Sequence, residues 1–307
     1  MLSLQQLRYL AALSETLHFR RAAERCHVSQ PTLSGQVREL EDRLGAHLVE
    51  RGRRAKVVLT PVGKEIAARA RQVLRDVGDI VELAKYGRDW LNGTIRLGVL
   101  PTLGPYLLPH VLPELHQSYP GLRLYLREGL PGALISALED GDLDLLLLPL
   151  PVKQGDLTIA RLFREPLVIV APAEHPLAAK EFAEPADLNG ATVLALEPGY
   201  RLHDQVRALC EDYGAVLALD YEGTSLDALR LMVGMGMGLS FLPALYARSE
   251  TPKDHAVVAR PLRQRPPSRL IAMVWRRHSA RNEEFQTLAG LIRGMLRSRV
   301  SEITIVD

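Results

Sequence analysis

The stretch Ala22–Leu44, AAERCHVSQPTLSGQVRELEDRL, reads as two short helices meeting at a tight corner. In its second half, Ser29 offers an N-cap hydroxyl and Pro31 sits in a first turn that needs no amide donor. Leu33, Val37, Leu40 and Leu44 then recur on one stripe, and Gly45 closes the helix. Ahead of it, a helix over Phe19–Cys26 carries the small pair Ala22 and Ala23, which lets a neighbour approach steeply, and His27-Val28 makes the connection. That pattern is a helix-turn-helix. The opposite face of the second helix presents Gln30, Thr32, Ser34, Gln36 and Arg38. Their amides and hydroxyls suit base edges, and the Pro31 ring or Thr32 methyl suits thymine.

Outward from this core, Ser3-Leu-Gln-Gln6 has capping-box form and starts a helix with Leu4, Leu7, Leu10 and Ala11 at helical spacing. Downstream, Leu48–Thr60 reads as a hairpin with Arg51, Arg53, Arg54 and Lys56 around Gly52, a basic wing for phosphates or a minor groove. Charge supports a polyanion partner for this end. Residues 1–88 hold 16 Lys/Arg against 10 Asp/Glu, while the remainder holds 22 against 26. Double-stranded DNA is the expected partner.

Thr60-Pro61 opens a long helix that runs to about Tyr86. Ile66, Ala70, Val73, Val77, Ile80 and Ala84 step by 4, 3, 4, 3 and 4, a coiled-coil seam that calls for a partner helix, most simply from a second copy. Two-fold pairing would present two recognition helices to a pseudo-palindromic site.

After Asn92-Gly93 the texture becomes strand and helix in alternation, the signature of α/β layers. Strands are expected over 94–100, 122–127, 143–148, 167–171, 192–196 and 271–275, and helices over 104–119, 133–139, 202–213, 225–233 and 281–297. Ligands of such sheets sit beyond the strand C-termini, here 100–104, 128–132, 197–203 and 223–225. No catalytic arrangement emerges. Gly238-Leu-Ser240 lacks the second glycine of a nucleophile elbow, and Gly234-Met-Gly236-Met-Gly238 follows a helix rather than a strand. His110 and His116 lack zinc spacing, so neither metal nor cofactor is expected. With no signal-peptide pattern and no run long enough to span a bilayer, the expected location is cytoplasmic, away from membranes.

The run from Ala22 through the wing to Gly63 is similar to the winged helix-turn-helix of LysR-type transcriptional regulators, and HFRRAAERCHVSQPTLSGQ most resembles the peroxide-responsive OxyR subgroup. The likeness runs through essentially the whole chain. It implies three parts. A winged helix-turn-helix covers 1–59 and a linker helix for dimers, commonly paired into tetramers, covers 60–90. An α/β effector domain of periplasmic-binding-protein type covers 91–307. Its two Rossmann-like subdomains would be 91–163 with 268–307, and 164–267. Gln30, Pro31, Thr32 and Ser34 would face the major groove, and Arg51 and Arg53 would serve the wing, with Arg38 and Arg54 beside them. RNA polymerase is a further expected partner.

The resemblance also raises a question about GYRLHDQVRALC, residues 199–210. The OxyR subgroup carries a reactive and a resolving cysteine nine residues apart here. The motif matches through Glu197, Gly199, Leu202, Asp204 and Gln205, and Cys210 falls on the resolving position. Arg201 stands at the reactive one, so the intramolecular disulfide is unavailable. Pro131 replaces a hydroxyl of the peroxide pocket, and Thr102 keeps the other. Two signals remain open. Either Cys210 alone senses hydrogen peroxide through a sulfenic acid or mixed disulfide, or a small anionic effector binds in the cleft at Arg201, Thr102 and Thr224, with Pro131 and His203 beside them. Cys26, on the inward side of its helix, reads as a core filler.

Overall fold

The computed structural model describes residues 2–51, 57–86, 91–152, 155–263 and 266–306. They form two compact units, 1–93 with 137–143, and 94–136 with 144–307.

In the first unit, α1 (Leu4–Thr16) starts on the capping box read from the sequence. The Ser3 hydroxyl accepts from Gln6 N, and the Gln6 side chain accepts from Ser3 N. α2 (Phe19–Arg25) and α3 (Gln30–Leu44) follow, with Gly45 left-handed at φ 64°. Leu10, Leu13, Ala22, Leu33, Val37 and Leu40 are fully buried together and form the core of this trihelix. β1 (Val49–Arg51) and β2 (Val57–Leu59) pair antiparallel as the wing. α4 (Pro61–Tyr86) is the long helix, opened by Thr60, whose hydroxyl accepts from Gly63 N. Along its expected seam Ala70 is buried, while Val73 and Ile80 are 40% and 65% exposed.

The second unit is one long sheet in two lobes. β3 (Gly93–Val99), which starts at the last residue of the first unit, leads to α5 (Gly104–Leu107) and α6 (Leu112–Ser118). The single helix expected over 104–119 is thus broken. Pro109 and Pro113 lack the amide donors that a continuous helix needs. β4 (Leu122–Glu128), α7 (Pro131–Glu139) and β5 (Leu145–Pro149) continue the first lobe. β6 (Leu157–Pro172) is 16 residues long and belongs to both lobes. It pairs antiparallel with β11 over its first part and with β9 and β10 over its last. The second lobe holds β7 (Thr192–Leu196), α8 (Arg201–Tyr213), β8 (Val216–Gly223), α9 (Leu226–Gly234), β9 (Leu239–Pro243), α10 (Ala244–Glu250) and β10 (Val257–Arg260). The chain returns through β11 (Ser268–Arg276), α11 (Asn282–Arg299) and the short β12 (Thr304–Ile305). Sheet order is β4-β3-β5-β11-β6-β9-β7-β8. β8, β9, β10 and β12 have no counterpart among the expected strands. Among the described residues no helix is long and apolar enough to cross a membrane.

Candidate DNA face and effector cleft

α3 is built to keep one face dry and the other available. Leu33, Val37 and Leu40 are 0% exposed, and Gln30, Pro31, Thr32 and Arg38 lie at the surface with Ser34 half-buried beside them. Ser29 fixes the first turn. Its hydroxyl accepts from Thr32 N at 3.3 Å and lies 2.7 Å from the Thr32 hydroxyl. Gln36 donates to Glu39 at 3.0 Å, whereas Arg38 makes no ion pair among the described residues. The turn between α2 and α3 needs a left-handed residue, and His27 supplies it at φ 54°.

Glu41 is a residue that sequence reading missed. It is 7% exposed, and its carboxylate accepts from Leu48 N at 2.7 Å and Val49 N at 3.1 Å. It therefore pins the first wing strand to α3. Thr60 adds a bond from its hydroxyl to His47 O at 2.8 Å. Arg53 and Arg54 lie outside the described residues, as does the side chain of Arg51.

In the second unit a cavity of about 360 Å³ opens where β11 meets α8, lined by Leu100, Thr102, Tyr200, Arg201, Gln205 and Arg269 among others. Arg269, one of the lining residues, belongs to a buried ion pair. Arg269 Nε donates to Glu165 at 2.8 Å, and the two residues are 5% and 0% exposed. The other Arg269 nitrogens donate to the Thr102 hydroxyl at 3.2 Å and the Thr102 carbonyl at 2.8 Å. Glu165 uses its second oxygen to accept from Leu245 N at 2.9 Å. Both charges are thus paired and hydrogen-bonded, the condition for tolerating them in a core. Gln205 ties α8 to β11 by donating to Ser268 O at 2.9 Å.

Of the five cleft residues expected, Thr102 and Arg201 line this cavity together. Arg201 is the exposed first residue of α8, entered through Gly199 at φ 105°. Pro131, His203 and Thr224 are not among the lining residues. Pro131 starts α7, the His203 ring turns back to within 2.6 Å of Leu196 O, and the Thr224 carbonyl accepts from the Tyr200 hydroxyl at 3.4 Å. Glu165, Arg269 and Gln205 were not singled out for this site from sequence.

Cys210 lies in the core of the second lobe. It is 3% exposed in one apolar cluster with Val206, Leu209 and Phe241. Burial, with Glu211 adding to it, pushes its thiol up to about 11. Nine helical residues place it roughly 13 Å along α8 from Arg201, and it does not line the cavity. Cys26 is half-buried at the end of α2, and burial raises its thiol too.

Comparison with known families decides the class. Residues 4–64 match the bacterial regulatory helix-turn-helix of the lysR family, and residues 89–297 match the LysR substrate binding domain. The chain belongs to the LysR family. It is similar to the DNA-binding transcriptional dual regulator OxyR of Escherichia coli K12, 42% identical over 296 residues and covering 96% of each chain. It also resembles the HTH-type transcriptional regulator EstR of Acinetobacter baylyi, at 34% identity over 95% of this chain and 96% of that one. Among solved structures, a full-length cysteine-to-aspartate variant of OxyR from Pseudomonas aeruginosa matches with TM-score 0.78 and 38% identity, over 95% of this chain and 98% of that one. A cysteine-to-serine variant of Corynebacterium glutamicum OxyR with bound hydrogen peroxide matches with TM-score 0.67 and 30% identity, over 97% and 96%. The winged helix-turn-helix and the two-lobed α/β effector domain are therefore those of a LysR-type, OxyR-like DNA-binding regulator.

Proposed function

We propose that this LysR-type regulator binds pseudo-palindromic promoter DNA as a dimer or tetramer in the cytoplasm and controls a hydrogen-peroxide response, acting through RNA polymerase and not as an enzyme. The observation that carries DNA binding is the split of α3 into a wholly buried Leu33–Val37–Leu40 stripe and an exposed Gln30, Pro31, Thr32, Ser34 and Arg38 face. Amide and hydroxyl groups at a recognition-helix N-terminus reach base edges, and wing cations such as Arg51, Arg53 and Arg54 take phosphates. The 40% and 65% exposure of Val73 and Ile80 supports pairing of α4 with a second copy. Peroxide enters the reading from relatives named hydrogen peroxide-inducible genes activators.

The test is salt-dependent retention of promoter fragments. Arg53→Ala weakens binding to all sequences and lowers the salt slope by about 1, whereas Gln30→Ala relaxes sequence preference. Equal, small effects at both positions overturn the assignment of the face.

The signal has two readings, and each has a structural observation. Cys210 is the only thiol in the segment where the resemblance places redox chemistry, and a sulfenic acid or mixed disulfide needs one cysteine. Its burial means that oxidation requires α8 to open first. The second reading is favoured by Arg201, an exposed guanidinium on the same cavity as Thr102, suited to a small anionic effector. Cys210→Ser separates them. Loss of peroxide-dependent DNA binding supports the thiol, and an unchanged response removes it.

A further inference from the structure

The described wing is a ladder of short reach, pairing Val49 with Leu59, Glu50 with Val58 and Arg51 with Val57. A two-stranded ribbon does not hold itself in water, so its direction comes from what grips its root. Val49, Val57 and Leu59 are buried in the core of the first unit. Such apolar packing decides which face is dry, but it is non-directional. Hydrogen bonds at Leu48 and Val49 supply the direction.

Both amides go to one atom. Leu48 N and Val49 N donate to the same oxygen of Glu41, Oε1, at 2.7 and 3.1 Å. Glu41 belongs to α3, the helix whose first turns carry Gln30 and Thr32. From the other side, the Leu48 carbonyl accepts from Thr60 N at 3.0 Å, and Gly63 of α4 lies so close to that oxygen that a Cβ would not fit. The root of the wing is thus held between α3 and α4, with its inner amides on a single buried carboxylate.

We propose that Glu41 is a positioning residue for DNA: it fixes the direction of the wing relative to α3, so that wing cations such as Arg53 meet phosphates while Gln30 and Thr32 meet bases. The inference rests on the DNA-binding reading above. Two contacts on one duplex reinforce each other only while the parts that make them are held in register, since any freedom between them is lost again on binding. A carboxylate near DNA opposes binding, and burial against two amide donors is the arrangement that lets one serve there. Only Oε1 serves the wing, so glutamine, which keeps that acceptor, can do the same work and alanine cannot.

The test uses the full-length protein and a duplex that it enriches from a random-sequence library, with affinity read by fluorescence anisotropy between about 50 and 200 mM salt. Glu41→Ala should lower the salt slope by about 1 or more and keep the base preference, whereas Glu41→Gln should bind within about threefold of the unaltered chain. Arg53→Ala, which alone lowers the slope by about 1, should add little in the Glu41→Ala background, because the wing is already displaced. Gln30→Ala should keep its full effect there. Circular dichroism checks the fold, and if Glu41→Ala does not fold, Glu41→Asp, too short to reach both amides, takes its place. An unchanged slope in the folded variant, an undiminished Arg53→Ala effect, or Glu41→Gln as weak as Glu41→Ala overturns the role of Glu41 and leaves the DNA-binding reading standing. Enrichment of no duplex overturns both.

Discussion

The sharpest consequence of the structure concerns the reactivity of Cys210. A thiol pushed up to about 11 is deprotonated in roughly 1 molecule in 10,000 at pH 7, against about 1 in 100 for a thiol at its ordinary value. The thiolate is the nucleophile, so alkylation or peroxide attack in the folded protein should run about a hundredfold slower than in the unfolded chain. Exposure of only 3% slows it further. The assay is iodoacetamide labelling of the native protein and of the protein in urea, with the Cys210 peptide followed by mass spectrometry. The native rate should climb about tenfold per pH unit towards pH 11, as the thiolate fraction does. Stability follows the same shift. Because the folded thiol holds its proton more tightly than the unfolded one, its stabilisation is complete below about pH 9 and is lost as pH rises towards 11. The loss is roughly 2–3 kcal/mol, absent from Cys210→Ala. Native labelling at pH 7 within threefold of the urea rate would refute the burial argument, and with it the claim that oxidation waits for α8 to open.

Three further outcomes test the frame around these sites. Gly63→Ala places a Cβ 2.0 Å from the Leu48 carbonyl oxygen, so the wing strand must move. Destabilisation of about 1–3 kcal/mol or more and weaker DNA retention are expected by denaturant melting and promoter binding. Glu165→Ala strands Arg269 as a buried cation and should cost about 3–5 kcal/mol in chemical denaturation. Glu165→Leu with Arg269→Met should recover most of it. Ser29→Ala removes the cap from α3 and should cost about 1 kcal/mol, while an unchanged melt would mean that Thr32 N finds another acceptor.

Features that obey local rules can be read from the residues alone. The Ser3 and Ser29 caps, the Leu33–Val37–Leu40 stripe and the left-handed Gly45 follow from helical periodicity and end chemistry, so the helix-turn-helix is legible in the residues themselves. Alternating strand and helix announced the α/β body for the same reason. Other features arise from contacts between distant parts of the chain. Glu165 and Arg269 are 104 positions apart, and Arg269 and Thr102 are 167 apart, so no spacing rule predicts that their charges and hydroxyl meet. Cys210 sits beside an apolar stripe in sequence, and whether that flank is wet or dry depends on the sheet that packs against α8. β6 also bulges at Leu162, and it does so only because it must keep register with β11, a constraint imposed by a partner strand more than a hundred residues later.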